Sequence, residues 1–96
     1  MKKTSIDKLT KGRKSITVKW KKQTKQTKGY EIQIATNSKF TKNLKTITVS
    51  KNKTTSKTIK KLKANKKYYV RIRTYNKFNG TKYYSTWSKV KNIKTK

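Results

Sequence analysis

Asp7 and Glu31 are the only acidic side chains in this sequence of 96 residues, which has neither His nor Cys. General acid–base catalysis needs two tuned groups that meet at one reacting bond. Here one acid lies in the N-terminal segment and the other inside an apolar run. Without imidazole or thiolate, no usual catalytic triad or transition-metal site can form. A Ser–Lys dyad is formally available, but with so many Lys such pairs arise by chance. Gly12, Gly29 and Gly80 are too scattered to cradle a phosphate in a glycine-rich loop. Neither an enzyme nor a bound cofactor or metal is expected.

Charge is the chemical feature that remains. Lys (27) and Arg (3) give a formal net charge of +28. Clustered Lys and Arg attract polyanions without any specific pocket. Candidate partners are anionic cell-wall polymers such as teichoic acids, acidic extracellular polysaccharides, nucleic acid and anionic membrane. The excess of Lys over Arg, with plentiful Asn, Ile and Tyr, also fits an AT-rich codon bias. Such a bias does not remove nearly all Asp and Glu, and a merely solvated surface mixes both signs. No zinc pattern, aromatic RNP motif or helix-turn-helix points to nucleic acid in particular.

Hydrophobic content is only 29%. Low hydrophobicity with high net charge is the compositional mark of disorder, so the arrangement of the apolar residues has to decide. It alternates. In Ser15–Lys21, Ile16, Val18 and Trp20 share one face, and Thr17, Lys19 and Lys21 the other. Tyr30, Ile32 and Ile34 repeat the pattern, and Thr46–Val49 gives a shorter case. The longest run is Tyr68–Tyr75, with Tyr68, Val70, Ile72 and Thr74 on one face. Period two with β-branched and aromatic residues predicts half-buried strands. No window keeps a helical apolar face. Random Lys-rich coil would not hold this register over four segments.

Turn residues fall between these runs. Gly12 and Gly29 each precede a strand. Asn79-Gly80 predicts a two-residue type I′ hairpin, because that turn needs positive φ at both central positions. It would pair Phe78 with Thr81 and Tyr75 with Tyr84. Trp87, Val90 and Ile93 then recur at spacing three, which predicts a bulge or kink in the last strand. Ser56–Leu62 reads either as a strand ending in a turn or as one helical turn. Gln23–Lys28 and Lys51–Lys57 read as solvated loops. The length suits one domain over residues 1–96, with a core from about 6 to 94 and flexible ends.

These residues resemble the fibronectin type III family, in the form found in bacterial secreted and cell-surface proteins. The most specific stretch is Leu62-Lys63-Ala64-Asn65-Lys66-Lys67-Tyr68-Tyr69-Val70-Arg71-Ile72, with a Tyr six residues after a Leu and alternating apolar residues behind it. Trp20 matches the core Trp of the second strand, Gly29-Tyr30-Glu31-Ile32 the start of the third, and Trp87-Ser88 the opening of the last. The chain departs from the family in having no Pro, and the Arg-Gly-Asp of integrin-binding members is absent. The resemblance implies an all-β, seven-stranded immunoglobulin-like sandwich of two antiparallel sheets. Its core would hold Trp20, Tyr30, Ile32, Leu62, Tyr68, Val70 and Ile72, with Tyr68 as a tyrosine corner.

Two surfaces stand out as binding candidates. By parity Tyr69, Arg71, Arg73 and Tyr75 point outward, beside Glu31 and Gln33 of the neighbouring strand. That is either an aromatic–cationic platform for a sugar or nucleotide chain or ordinary cross-strand pairing. The hairpin tip, with Phe78, Tyr83 and Tyr84, is the second.

The functional expectation is a non-catalytic spacer or adhesion module of an extracellular or cell-surface bacterial protein. It would be monomeric as an isolated domain, sit beside neighbouring modules, and associate with wall or extracellular polyanions. The alternatives are a general polyanion- or nucleic-acid-binding basic domain and an artificial cationic scaffold. No stretch is long enough for a transmembrane span. Met1-Lys2-Lys3 looks like the start of a signal peptide, but no apolar run follows it. Such a start fits either a protein that stays in the cytosol or a module taken from a longer secreted chain with Met1 added for expression, and the second is the preferred reading.

Overall fold

The computed structural model describes residues 2–96. Eight strands form: β1 (Ile6–Gly12), β2 (Ser15–Trp20), β3 (Gly29–Ala35), β4 (Lys45–Val49), β5 (Ser56–Ile59), β6 (Lys67–Phe78), β7 (Thr81–Tyr84) and β8 (Lys91–Lys94). One sheet has the order β1-β2-β5. The other has the order β4-β3-β6-β7, with β8 also paired to β6. All pairings are antiparallel. The fold is therefore an all-β sandwich of two antiparallel sheets.

In β2 and along most of β6 the alternation read in the sequence is the alternation of burial, whereas the central strand β3 is buried on both faces, Glu31 and Ala35 included. Ile16, Val18 and Trp20 of β2 face Tyr30, Ile32 and Ile34 of β3 and Tyr68, Val70 and Ile72 of β6 in one apolar cluster. Leu62 joins that cluster from the turn after β5. Trp20 and Tyr30 pack with ring centroids 5.2 Å apart. Tyr30 is fully buried, so its hydroxyl needs partners. It donates to the Asn52 carbonyl (2.6 Å) and accepts from the Gln23 amide (2.9 Å), tying two loops to the core. Tyr68 does the same at the other end of the sandwich, where its hydroxyl accepts from the Lys63 amide at 2.9 Å.

One strand more than the expected seven is present, because the last strand is broken. β7 and β8 both pair with β6, and between them residues 85–90 leave the regular ladder but stay attached to β6, the Ser85 amide donating to the Thr74 carbonyl (3.0 Å) and the Ser88 amide to the Ile72 carbonyl (2.8 Å). This irregular course takes the regular backbone acceptors away from two buried β6 amides. Two serine hydroxyls replace the missing acceptors. Ser85 Oγ accepts from the Thr74 amide (3.0 Å) and Ser88 Oγ from the Ile72 amide (3.0 Å). The threefold spacing of Trp87, Val90 and Ile93 is the sequence trace of this break. Ile93 packs on the core, Val90 is exposed, and Trp87 lies on the outer face of the sheet.

Other local expectations shift by a few residues. Ser56 and Lys57 belong to β5, so the loop before it is shorter than Lys51–Lys57. Gly29 does not precede its strand but opens it, and its role is close approach. A Cβ there would meet the Val49 carbonyl oxygen at 2.0 Å and the Tyr75 ring at 2.9 Å. The C-terminus, expected to be loose, is clamped. Thr95 is buried, its hydroxyl donates to the Lys63 carbonyl (2.6 Å), and the Lys96 amide donates to the Gly12 carbonyl (3.1 Å).

Candidate functional site

The long strand β6 carries both surfaces singled out in the sequence. Its outer face presents Tyr69, Arg71, Arg73, Tyr75 and Lys77, beside Gln33 and Glu31 of β3. The register pairs Gln33 with Arg71 and Glu31 with Arg73. Arg73 donates from Nε (2.9 Å) and Nη2 (2.6 Å) to Glu31 Oε1. This is the only ion pair among the described residues. Arg71 makes the same two-pronged contact to the neutral Gln33 Oε1, at 3.0 and 2.6 Å. Burial, and then the neighbouring Arg73 charge, lowers the Arg71 pKa below the usual guanidinium value.

The faces of both guanidinium groups are also taken. Arg71 lies 4.3 Å from the Phe40 ring centroid and 4.2 Å from that of Trp87. Arg73 lies 4.2 Å from Trp87 and 3.7 Å from Tyr84. The result is a continuous stack, Phe40–Arg71–Trp87–Arg73–Tyr84. Planar guanidinium groups suit such stacking as ammonium groups do not. Phe40 reaches the stack from the β3–β4 loop in a left-handed conformation (φ 56°) and is buried. The Asn37 side chain shapes that loop, its Oδ1 accepting from the Thr41 and Lys42 amides at 3.0 Å each.

The outward platform expected of Tyr69, Arg71, Arg73 and Tyr75 is therefore covered over much of its length. Tyr75 is the clearest correction: it is 3% exposed. Its ring lies over Gly29, with Tyr84 6.5 Å away and the Lys82 ammonium 5.0 Å from its centroid. Tyr69 is half-buried, 5.3 Å from Lys67 Nζ. Phe40 and Trp87 were not among the expected site residues.

The hairpin tip is the opposite case. Asn79 (φ 51°) and Gly80 (φ 80°) form the two-residue turn between β6 and β7, and Phe78 pairs with Thr81 and Tyr75 with Tyr84. Asn76, Phe78, Thr81 and Tyr83 share the face that continues the core side of β6. The opposing sheet no longer covers them there. Phe78 is 66% exposed and Tyr83 51%. Tyr84 (39%) turns to the other face, under Arg73.

The rest of that end of the sandwich is basic and polar. The Lys2 carbonyl accepts from Thr74 Oγ1 (2.8 Å), and the Lys28 amide donates to the Tyr75 carbonyl (2.8 Å). The N-terminal segment and the β2–β3 loop therefore flank the root of the hairpin. Between them lies an open cleft of about 280 Å³ lined by Lys3, Thr4, Ser5, Lys21, Lys22 and Gln23. Every Lys in the chain is solvent-exposed. Among the described residues no three His, Cys, Asp or Glu side chains come together as a metal site, and no helix is long and apolar enough to cross a membrane.

This sandwich, with its tyrosine corner and Asn-Gly hairpin, has a family. The family model "Fibronectin type III domain" matches residues 5–91, and the chain belongs to that family. Solved structures agree on the fold. The fn3 domain of human contactin 1 is 14% identical with a TM-score of 0.82, covering 100% of this chain and 78% of that one. The FN1–FN3 domains of chicken CNTN1 are 23% identical with a TM-score of 0.76; 97% of this chain is covered, but it spans only 30% of that one. A β-1,2-glucanase from Parabacteroides distasonis is 15% identical with a TM-score of 0.77, over 97% of this chain and 12% of the enzyme. A comparison with curated proteins matches none. At such identities these likenesses speak to fold alone. Domains of this family are commonly non-catalytic modules.

Proposed function

We propose that this chain is a spacer or adhesion module of an extracellular or cell-surface protein, held to anionic wall or matrix polymers by its lysines. The observation that carries this reading is the unneutralised charge. The net charge is +28, every Lys is exposed, and one ion pair forms among the described residues. Protein carboxylates therefore do not compensate this surface, and external anions must. Many Lys spread over both ends of the sandwich suit a long, flexible anionic chain better than a small ligand. The bacterial setting suggested by the family resemblance belongs to the same proposal.

Binding to a teichoic-acid-type polymer or to long-chain polyphosphate, measured against salt, tests this. Log K is expected to fall linearly with log salt, because counterions are released as phosphates are neutralised. Absence of binding at low salt overturns the reading. Much tighter binding to duplex DNA than to the wall polymer would favour the basic nucleic-acid-binding alternative.

A further inference from the structure

The hairpin tip carries something that polyanion attraction does not explain. Phe78 is 66% exposed and sits directly before the Asn79-Gly80 turn, at the leading edge of the molecule. Tyr83 stands on the same face. A hydrophilic polyanion offers Phe78 little, since the ring has no polar atom and the Lys would track the polymer without it. An anionic lipid surface offers both parts of this end what they lack. Aromatic rings settle at the boundary between headgroups and acyl chains. Lysines within a Debye length of the surface meet the negative headgroups.

The geometry matches. Phe78 and Tyr83 project past the sandwich on one face of the hairpin, and Lys77 and Lys82 lie on the other. Behind them Lys3, Lys21, Lys22, Lys25, Lys51 and Lys53 occupy the segments at the same end, all exposed. The β2–β3 loop is joined there to Tyr75 through the Lys28 amide, and the β4–β5 loop to the end of β2 through the Thr55 carbonyl. The molecule measures 42 × 24 × 21 Å, so docking through one narrow end would stand its long axis away from the surface. We infer that the β6–β7 hairpin is a membrane-docking tip, inserting Phe78 and Tyr83 at the interface of an anionic bilayer while the surrounding Lys bind its headgroups. This deepens the cationic adhesion reading, on which it rests, by naming the surface met by one end of the module.

The experiment has two arms, each with the full chain. The first is co-sedimentation with vesicles of phosphatidylglycerol and phosphatidylcholine in equal parts. The second is binding to long-chain polyphosphate in solution. Phe78→Ser with Tyr83→Ser is expected to weaken vesicle partitioning about tenfold or more, the loss of a buried aromatic contact, and to leave polyphosphate binding unchanged. Phe78→Trp is expected to show a blue shift on vesicles and quenching by bilayer-embedded brominated lipid, beyond the signal of Trp20 and Trp87 in the parent chain. Unchanged vesicle binding in the double variant, or equal losses in both arms, overturns the docking tip and leaves the polyanion reading standing. If the parent chain binds neither vesicles nor polyphosphate, both readings fall.

Discussion

The outer face of β6 and the tip of its hairpin have nearly the same composition, aromatic rings interleaved with cations, yet they are opposite kinds of surface. On the face, each guanidinium is held between two rings and its edge is hydrogen-bonded to β3. The stacking capacity of these groups is largely spent inside the molecule. At the tip, Phe78 and Tyr83 are in the open. Aromatic–cationic composition is therefore not a binding signature by itself. What matters is whether the chain has already supplied the partners. The face behaves as a clasp that holds residues 85–90 and the β3–β4 loop onto the sheet. The tip is the part left for something else.

If the face is a clasp, Trp87 is its central plate, because it alone touches both guanidinium groups. Trp87→Ala should cost about 3 kcal/mol, the low end for truncating a large aromatic because the ring is only half-buried. It should also loosen the connection between β7 and β8. Urea unfolding gives the first and amide exchange across Ser85–Val90 the second. A cost under about 1 kcal/mol, within the range of an exposed cation–π contact, would break the contrast with the tip.

A smaller effect separates charge from stacking. Glu31 is 8% exposed and supplies the only carboxylate on this face. Glu31→Gln keeps an acceptor but leaves Arg71 and Arg73 as adjacent like charges with no anion between them. It should cost about 1–2 kcal/mol, the difference between a charged and a neutral hydrogen bond plus the unrelieved repulsion. Arg73→Lys, tested beside it, keeps the positive charge and loses the planar stack on Trp87 and Tyr84. If Arg73→Lys is harmless while Glu31→Gln is not, the clasp is an ion pair and the rings are incidental.

Much of this architecture was legible in the sequence, for a physical reason. Strand alternation reports which face a residue takes, and Asn79-Gly80 sets the register of the hairpin because few other pairs accept positive φ twice. Burial of Tyr30, Ile32, Tyr68, Val70 and Ile72 follows from parity alone. Parity does not report what lies over a face. Tyr75 points outward from β6 as read, but Tyr84 and Lys82 cover it and Gly29 lets its ring sink against β3. Phe40 was illegible for a related reason. It comes from a loop whose course is set by Asn37 and a left-handed backbone, which no periodicity records. Trp87 left a trace in its odd spacing from Val90 and Ile93. That trace showed that the last strand would break, but not that the break would carry the ring across two arginines.

The smallest expected effect is the sharpest test, because it uses two adjacent residues of one type. Tyr83 and Tyr84 are neighbours on β7 and face opposite ways. Tyr84 lies 3.7 Å from Arg73 by its ring centroid and 6.5 Å from Tyr75, so it closes one end of the stack. Tyr83 has neither contact, facing the uncovered side with Phe78. Tyr84→Ser should therefore cost about 1 kcal/mol, the value of an exposed cation–π contact with some packing. Tyr83→Ser should stay within about 0.5 kcal/mol of the parent, as surface substitutions without special partners do. Thermal or urea unfolding of the two variants side by side reads the difference. Equal costs would mean that the boundary between closed and open surface does not run between these two residues. A stability loss for Tyr83→Ser alone would mean that the tip is held by contacts within the chain, so that its rings are not free to meet a bilayer.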